Sequence, residues 1–364
     1  MDTKMATSGL EGVVVAETRL SEVDGERGRL VVAGHDIERL AGAVTFEDVA
    51  ALLWSGALPD AAGREDVRRA LAEGRVAAFE RLAGSGDALR LADGMDALRA
   101  ATAHLSAQAG FDAPARLAGA VAVHVAAWAR VRGGGRPIAP DPGLSHAADY
   151  LRMLEGAAPD AARVAGLEAY LVTVADHGMN ASTFAARVVT STGSDAVSAI
   201  VAAIGALKGP LHGGAPGPVL DMLDAIGEPG RAAAWIDAEL AAGRRIMGMG
   251  HRIYRVRDPR AAVLERAIAA LEQAGASTGR LALARAVERA AEGALRAKYP
   301  GRPLAANVEF YTAVLLDTVG IDRAAFAPTF AVGRVAGWAA HVLEQRETGR
   351  LIRPASRYVG PAPA

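Results

Sequence analysis

The feature that most constrains this chain is a helical pattern of small apolar residues that begins near Thr45 and dominates the rest of the sequence. Residues 60–130 are rich in Ala, Leu and Arg, whereas aromatic residues make up only 5% of the chain. Because few bulky rings are available, the core must be packed mainly by Ala, Val, Leu and Ile, which suits helices that approach closely. The pattern therefore predicts a largely helical protein.

Local signals mark where some of these helices begin and end. Thr45 can cap a helix, and the side chain of Asp48, three residues later, can accept a hydrogen bond from the Thr45 backbone in return. Asp258 and Pro259 are typical of a further helix start, and Gly275 is typical of its end. Three more helices are predicted at 160–176, 181–192 and 194–207.

The segment before Thr45 has a different character, because it is rich in Val, Gly and charged residues. Residues 13–15 and 30–32 are predicted to form short strands on either side of a turn at Asp24 and Gly25. A small β-structure is therefore expected ahead of the helices.

Size and charge limit the organisation and the partners. A chain of 364 residues exceeds the usual length of one domain, so two domains, or one domain with an insertion, are expected. The net charge of −1 gives no overall attraction to nucleic acid or to an anionic membrane. Apolar stretches such as 117–129 and 197–207 are too short to span a bilayer, and residues 1–14 lack an apolar signal core. A cytoplasmic location is therefore predicted.

Three of the eight histidines lie where glycine breaks or bounds a helical pattern, namely His177, His212 and His251. Glycine lets a backbone approach a ligand closely, and helix starts gather unpaired N–H donors that favour developing negative charge. Histidines at such junctions indicate carbonyl polarisation and proton transfer. The remaining histidines have settings typical of structural or surface positions: His35, His104, His124, His146 and His341.

Arginines cluster just after the third of these histidines and recur near the C-terminus. The set comprises Arg252, Arg255, Arg257, Arg260, Arg334 and Arg353. Arginine grips carboxylates and phosphates through two parallel hydrogen bonds. The natural partner is a small di- or tricarboxylate or a phosphorylated cofactor, although a solvated basic helix face would show the same charge pattern.

Neither a metal ion nor a nucleotide-binding loop is expected. The absence of cysteine excludes thiolate ligands, disulfides and a cysteine nucleophile. Zinc ligands usually include two histidines three to five residues apart, and no such pair occurs here. Gly248 and Gly250 lack the third glycine of a dinucleotide fingerprint, and the glycines at 213–217 are not followed by the Gly-Lys-Ser/Thr of a phosphate-binding loop.

Six motifs, taken in order, carry a resemblance to a known family. They are HxxNAST at 177–183, GPLHGGA at 209–215, GxGHRxYxxxDPRA at 248–261, NVEFY at 307–311, GRxAGW at 333–338 and IRP at 352–354. Each is weak alone, but their joint order is very specific, and the chain resembles citrate synthase from residue 9 almost to residue 359. Its length resembles that of the dimeric bacterial and archaeal type.

The resemblance implies an enzyme that condenses oxaloacetate with acetyl-CoA and hydrolyses citryl-CoA to citrate and CoA. It implies that His212 hydrogen-bonds the thioester oxygen, that His251 polarises the oxaloacetate carbonyl, and that Glu309 is the catalytic base. No tightly bound cofactor is implied, because the acyl-CoA is a co-substrate.

The resemblance also implies which residues bind the substrates. His177 matches a histidine that holds oxaloacetate, and Arg260 and Arg334 match arginines that bind its carboxylates. Arg353 matches a third arginine, which in the family reaches in from the partner subunit, so a homodimer is expected. The residues expected to contact CoA are Arg255 and the loop Ile246, Met247, Gly248, Met249 and Gly250.

One position departs from the family pattern. The family's base is commonly an aspartate, whereas Glu309 places the carboxylate one methylene further out. A misplacement of about 1 Å at a catalytic base can be costly. Either the backbone is set back so that Glu309 works normally, or the protein is slow, selective for another acyl-CoA, or inactive. The alternatives are therefore a 2-methylcitrate synthase that uses propionyl-CoA and a non-catalytic relative.

The resemblance further implies an all-α architecture with a large domain, a smaller inserted helical domain and the active site in the cleft between them. The large domain is expected at 1–213 and 321–364, and the smaller one at 214–320. The large domain is expected to contribute His177, His212 and Arg334, and the smaller one His251, Arg260 and Glu309.

Overall fold

The computed structural model describes residues 9–10, 12–213, 216–251, 253–276, 279–302 and 304–361. Arg252 of the arginine cluster and Gly214, the expected first residue of the smaller domain, lie outside these residues.

Helices dominate the described residues, as the apolar pattern predicts. They are α1 Ile37–Leu40, α2 Phe46–Ser55, α3 Ala61–Phe79, α4 Gly94–Ala103, α5 Pro114–Arg132, α6 His146–Glu155, α7 Ala161–Val174, α8 Ala181–Ser191, α9 Ala196–Leu207, α10 Pro216–Ile226, α11 Ala232–Ala241, α12 Pro259–Gln273, α13 Arg280–Lys298, α14 Val308–Val319 and α15 Phe326–Thr348. The strands are β1 Ser21–Asp24, β2 Arg29–Val32 and β3 His35–Asp36. The all-α class is confirmed, with one small sheet beside the helices.

The predicted helix starts are confirmed in detail. The Thr45 side chain accepts from the Asp48 amide, and the Asp48 carboxylate accepts from the Thr45 amide at 2.9 Å. Asp258 caps α12 by accepting from the amide of Arg260, with Pro259 at the first helical position. Both starts follow from local chemistry, because each cap uses side chains within three residues of the helix end.

The N-terminal sheet corrects one prediction. Residues 13–15 form no strand, and the Val14 side chain is exposed. The strand that pairs with β2 is β1, with Val23 opposite Leu30. The Asp24 carboxylate accepts from the amides of Glu26 and Arg27 and closes a tight turn. A tight turn pairs the residues directly beside it, and residues 13–15 lie too far upstream to be those residues.

Helix α15 lies at the centre of the core. It is buried along most of its length and packs against α2, α5, α7, α8 and α9. Helices α3 and α5 pack closely because a small residue lies between them. A methyl group on Gly119 of α5 would lie only 2.5 Å from the Leu71 carbonyl oxygen of α3, so the contact requires glycine. This arrangement agrees with a core that contains few aromatic rings.

Helices α10 to α14 form a second group, in which α12 packs against α14 and α11 packs against α13. Helix α7 contacts both α12 and α14. No helix in the described part of the chain is both long and apolar enough to cross a bilayer.

Candidate active site

The candidate site lies where several helix ends and loops meet. His177 follows the end of α7, His212 follows α9, and His251 lies between α11 and α12. Arg260 and Glu309 lie in the first turns of α12 and α14. Residues at such positions are held by rigid helices and still reach an open space.

His177, His251 and Tyr254 form an aromatic cluster. The ring centroids of His177 and His251 lie 5.8 Å apart, and those of His251 and Tyr254 lie 4.7 Å apart. The Tyr254 hydroxyl lies 3.1 Å from Nε2 of His177. The structure therefore brings two of the three predicted histidines together. It adds a tyrosine that belongs to the GxGHRxYxxxDPRA motif but had no predicted role.

Two backbone amides fix the tautomer of His251. The N–H groups of Ile253 and Tyr254 both donate to Nδ1, at 3.1 Å each. Because an accepting Nδ1 carries no proton, the neutral ring holds its hydrogen on Nε2. Burial, followed by the charge of Arg260, lowers the pKa of His251 to about 4. At neutral pH His251 is therefore an uncharged hydrogen-bond donor through Nε2.

His212 is held by the start of α8. The Ser182 amide donates to Nε2 of His212 at 3.3 Å, and the Ser182 hydroxyl lies 2.8 Å from the same nitrogen. The indole N–H of Trp338 donates to that hydroxyl at 3.0 Å. Burial, followed by the charge of Arg334, lowers the pKa of His212 to about 4. Because Nε2 accepts, the neutral ring presents its hydrogen on Nδ1.

His177 is also uncharged at neutral pH. Burial lowers its pKa well below the ordinary value, and the charges of Arg260 and Arg334 lower it further. All three predicted histidines are thus neutral rings among cations. They can donate hydrogen bonds to a carbonyl without carrying a charge into the site.

Two buried arginines supply the positive charge. Arg260 forms a bidentate pair with Asp258, at 3.0 Å from Nε and 2.7 Å from Nη2, which leaves Nη1 outside the pair. Arg334 donates from Nε to the Val174 carbonyl at 2.6 Å and stacks over Phe330. Burial lowers the pKa of Arg334 to about 10, so it stays cationic at neutral pH.

The charge of Arg334 is poorly compensated. Among the described residues, no carboxylate lies within salt-bridge distance of its guanidinium, although Asp176 acts on it from further away. A buried cation without a direct partner is costly, and an anionic ligand relieves that cost. Arg334 and Arg260 act on each other electrostatically. Together they are suited to bind a small dicarboxylate.

Glu309 is the acid of the site. Its helix is capped by Asn307, whose side chain accepts from the Glu309 amide at 3.0 Å and donates to the Gly250 carbonyl at 2.9 Å. The Oε2 atom is buried and has no hydrogen-bond partner among the described residues. Burial raises the pKa of Glu309 to about 7, against the opposing charges of Arg260 and Arg334. Such a carboxylate is poised to exchange a proton near neutral pH.

The loop expected to meet CoA is held against the segment that precedes Glu309. The Gly250 amide donates to the Ala305 carbonyl at 2.8 Å, and the Asn307 amide donates to the Gly248 carbonyl at 2.9 Å. Met249 forms an isolated bridge with Ala306. The loop at 246–250 and the acid are therefore coupled through backbone hydrogen bonds.

A buried polar chain lies behind His177, and it was not expected from the sequence. Arg187 donates from Nη1 to Nδ1 of His341 at 2.7 Å, so His341 carries its proton on Nε2, which lies 3.2 Å from Asp176. Ser21 also donates to the Asp176 carboxylate. Asp176 directly precedes His177, so this chain fixes the backbone at the start of the site. His341 is thus a satisfied structural histidine, as expected.

Arg353 is placed elsewhere. It is exposed and lines a surface cavity of about 470 Å³ together with Phe184, Arg187 and Gln345. Arg255 is exposed as well, and its backbone amide donates to the Gly25 carbonyl at 2.8 Å. Within this one chain, Arg353 does not join the histidines.

Taken together, the site holds three neutral histidines, an acid that titrates near neutrality and two buried cations. This set can bind a small dicarboxylate, donate hydrogen bonds to oxygens that become negative, and remove a weakly acidic proton. No group of three or more His, Asp or Glu side chains in the described residues is arranged to hold a metal ion.

Known proteins are similar to this chain in sequence and in fold. The family profile described as "Citrate synthase, C-terminal domain" matches residues 9–355. The citrate synthase of Haloferax volcanii is 39% identical, with 97% of this chain and 95% of the relative covered. The 2-methylcitrate synthase of Mycobacterium tuberculosis is 40% identical, with 97% of this chain and 90% of the relative covered.

A solved structure agrees with these relatives. It is the ternary complex of carboxymethyl coenzyme A and oxaloacetate with the citrate synthase of Thermoplasma acidophilum, which is 28% identical. The two folds align with a TM-score of 0.86 over 98% of this chain and 96% of that one. The chain therefore belongs to the citrate synthase family.

Proposed function

We propose that this protein condenses oxaloacetate with acetyl-CoA and hydrolyses the resulting citryl-CoA to citrate and CoA. The observation that carries the proposal is the Glu309 carboxylate, which is buried, lacks a partner on Oε2 and has a pKa of about 7. It acts within a set that includes the cations Arg260 and Arg334 and two neutral histidine donors. A base of this strength suits the removal of a proton next to a thioester.

The first step forms the nucleophile. Glu309 accepts a proton from the methyl carbon of acetyl-CoA, and the electron pair of that C–H bond moves toward the thioester oxygen. The Nδ1–H group of His212 donates to this oxygen as negative charge develops. A donor placed in advance in a water-poor site can lower such a barrier by several kcal/mol, on the order of 3 kcal/mol per donor.

The second step forms the new carbon–carbon bond. The enol carbon attacks the keto carbon of oxaloacetate, and the Nε2–H group of His251 stabilises the oxygen that becomes an alkoxide. His177, Arg260 and Arg334 hold the oxaloacetate in position. Water then adds to the thioester carbonyl of citryl-CoA, the carbon–sulfur bond breaks, and CoA leaves as the free thiol. Water must be kept out until condensation is complete, so closure of the site is expected.

We further propose that residues 214–320 form a smaller domain, with 1–213 and 321–364 forming the large one. The grouping of α10 to α14 supports this division. On this view the cleft lies between Arg334 of the large domain and Glu309 of the smaller one. The loop at 246–250 and Arg255 would contact CoA, because that loop lies against the start of α14.

The functional unit is proposed to be a homodimer in the cytoplasm. Arg353 is exposed and separate from the histidines of its own chain. An arginine that completes the site of the other subunit would account for that position. Exposed apolar side chains at both ends of the chain, among them Val14 and Val359, also fit a contact between copies.

The main alternative is a 2-methylcitrate synthase that uses propionyl-CoA. The relatives favour neither acyl group, since a citrate synthase and a 2-methylcitrate synthase match at 39% and 40% identity. One methylene changes binding by only about 1–3 kcal/mol, so both acyl groups are plausible substrates on energetic grounds. A non-catalytic relative is the other alternative, and the complete set of polar groups argues against it.

Thiol release provides the test of the proposed activity. Purified protein with oxaloacetate and acetyl-CoA is expected to release free CoA thiol, with citrate formed in equal amount. The control omits oxaloacetate, and a parallel assay replaces acetyl-CoA with propionyl-CoA. Faster turnover with propionyl-CoA would favour the alternative, and no thiol release from any short acyl-CoA would contradict both readings.

The pH dependence follows from the pKa of Glu309. A base must be ionised to accept a proton, and burial raises the pKa of Glu309 to about 7. We therefore expect kcat/KM for the acyl-CoA to rise with pH through an apparent pKa near 7. His212 and His251, with pKa values of about 4, stay neutral above pH 5 and add no step there. A flat profile between pH 5.5 and pH 8 would contradict the assignment of the base.

A further inference from the structure

The N-terminal hairpin, defined as β1, β2 and the turn between them, reaches the backbone next to His177. Ser21 accepts from the Gly178 amide at 2.8 Å and donates to the Asp176 carboxylate. Asp176 and Gly178 are the two chain neighbours of His177. One serine hydroxyl therefore bonds to both chain neighbours of this histidine, through the backbone amide of Gly178 and the side-chain carboxylate of Asp176.

The turn of the same hairpin contacts the backbone of the loop that follows His251. The Gly25 carbonyl accepts from the Arg255 amide at 2.8 Å. A methyl group on Gly25 would lie 2.8 Å from the carbonyl carbon of Ile253 and still closer to its oxygen. The amide of Ile253 donates to Nδ1 of His251. The peptide segment that orients this ring is thus packed directly on the hairpin backbone.

Gly28 makes a second close contact of this kind. A methyl group there would lie 2.5 Å from a side-chain methyl of Val256. Two glycines in one turn therefore let the loop that follows His251 lie on the hairpin with no side chain of the turn between them at these positions. Ser21 lies four positions before Gly25, the first residue of the turn, so one small element touches both histidine loops.

We propose that the N-terminal hairpin is a positioning element for oxaloacetate, which holds the loops of His177 and His251 at the spacing that the substrate requires. The inference rests on the proposed function, because it takes both rings as oxaloacetate ligands. The two rings come from distant segments, yet their centroids lie 5.8 Å apart. Without the hairpin each loop would have to be ordered by the substrate, and that ordering would weaken binding.

Apart from Arg255, whose backbone amide donates to the Gly25 carbonyl, the acyl-CoA site should not depend on the hairpin. Its expected loop, 246–250, is held instead by backbone hydrogen bonds to Ala305 and Asn307. Loss of the Ser21 hydroxyl, which contacts the neighbours of His177 and not Arg255, is therefore expected to raise the KM for oxaloacetate and to leave the KM for acyl-CoA nearly unchanged. A general loss of stability would not produce this separation.

Two hairpin variants, a control variant and a rescue variant test the inference. Gly25→Ala pushes the hairpin away from Ile253, and Gly25 does not have a positive φ, so alanine adds no backbone strain there. Ser21→Ala removes the bridging hydroxyl without adding bulk. Gly34→Ala is the control, because Gly34 lies in the next turn with φ +85° and open space around it. Gly34→Ala strains the backbone close to the hairpin but disturbs no contact with either loop.

Oxaloacetate binding to the full-length protein is measured by calorimetry, with melting temperatures and both KM values determined alongside. Gly25→Ala and Ser21→Ala are each expected to raise the Kd for oxaloacetate by about tenfold, whereas Gly34→Ala lowers the melting temperature with little change in Kd. Ser21→Thr, which keeps a hydroxyl, is expected to recover most of the affinity that Ser21→Ala loses.

An unchanged Kd for oxaloacetate in folded Gly25→Ala and Ser21→Ala would overturn this inference but not the proposed function. The same holds if Gly34→Ala raises the Kd as much as these two variants do. If the wild-type protein itself binds no oxaloacetate, the proposed function fails, and this inference fails with it. The wild-type titration therefore separates the two cases.

Discussion

Thiol release is expected to fall by about 1000-fold when Glu309 is replaced by glutamine. Glutamine keeps the shape of the side chain but cannot accept the acyl proton, so the first chemical step loses its base. Oxaloacetate binding is expected to change by less than about threefold, because the dicarboxylate is held by other groups. The measurements are kcat with saturating substrates and the oxaloacetate Kd by calorimetry.

A stability measurement on the same variant provides the control. Burial raises the pKa of Glu309 from the ordinary carboxyl value to about 7, so the ionised carboxylate destabilises the fold. This cost is absent when the pH is below the ordinary carboxyl pKa, and it grows as the pH rises toward 7. Glu309→Gln removes the cost, and its melting temperature is expected to exceed that of the wild type by a few degrees at pH 8 but not at pH 4.5.

The activity of the same variant can contradict the assignment. If Glu309→Gln keeps more than about a tenth of the wild-type kcat, Glu309 is not the catalytic base.

Glu309→Asp distinguishes the two accounts of the extra methylene. If the backbone is set back so that glutamate reaches the substrate, aspartate falls short by about 1 Å and kcat drops by about 100-fold. If glutamate is instead a misplaced base, aspartate restores the usual family length and kcat rises. The direction of the change in kcat is therefore decisive, and we expect the drop.

Mixed dimers are expected to regain activity that neither parent has. Arg353→Ala and Glu309→Gln should each be nearly inactive as homodimers. In a heterodimer with shared sites, one site combines the intact Glu309 of the first subunit with the intact Arg353 of the second. That single site should restore about half of the wild-type activity per dimer, or about a quarter in a random mixture of subunits.

The outcome depends on where Arg353 acts. If it acts within its own chain, every site of the heterodimer carries one of the two defects and no activity returns. Heterodimers isolated with two different affinity tags allow this comparison without contamination by homodimers. Absence of activity in such heterodimers would contradict a shared site, and Arg353 would then belong to the surface cavity of its own chain.

The parts of the fold that sequence predicts well are those fixed by neighbouring residues. The capping pair of Thr45 and Asp48 and the start of α12 at Asp258 depend on bonds that span three residues or fewer. The strand at 13–15 was predicted wrongly, because a run of valines shows strand preference but does not identify a pairing partner. That partner was set by the turn at Asp24, which selected β1 instead.

The site shows the same division between local and distant contacts. The ordered motifs singled out the three histidines, and the structure brings His177 and His251 together. Contacts between residues that are far apart in the sequence left no readable signal. The polar chain from Arg187 through His341 to Asp176 is an example. Asp258 was recognised only as a helix cap, although it also pairs with Arg260. A spacing rule detects a cap two residues away but does not show that the same carboxylate neutralises a buried cation.

The position of the Glu309 carboxylate in a complex with oxaloacetate and carboxymethyl-CoA tests the account most directly. The carboxymethyl group stands in for the acetyl group whose proton is removed. We predict that a carboxylate oxygen of Glu309 lies within hydrogen-bond reach of the bound analogue, at about 2.6–3.2 Å, with the Nδ1–H of His212 directed at the same group. A Glu309 side chain turned away from the analogue, with another residue or nothing in its place, would contradict the assignment of the base.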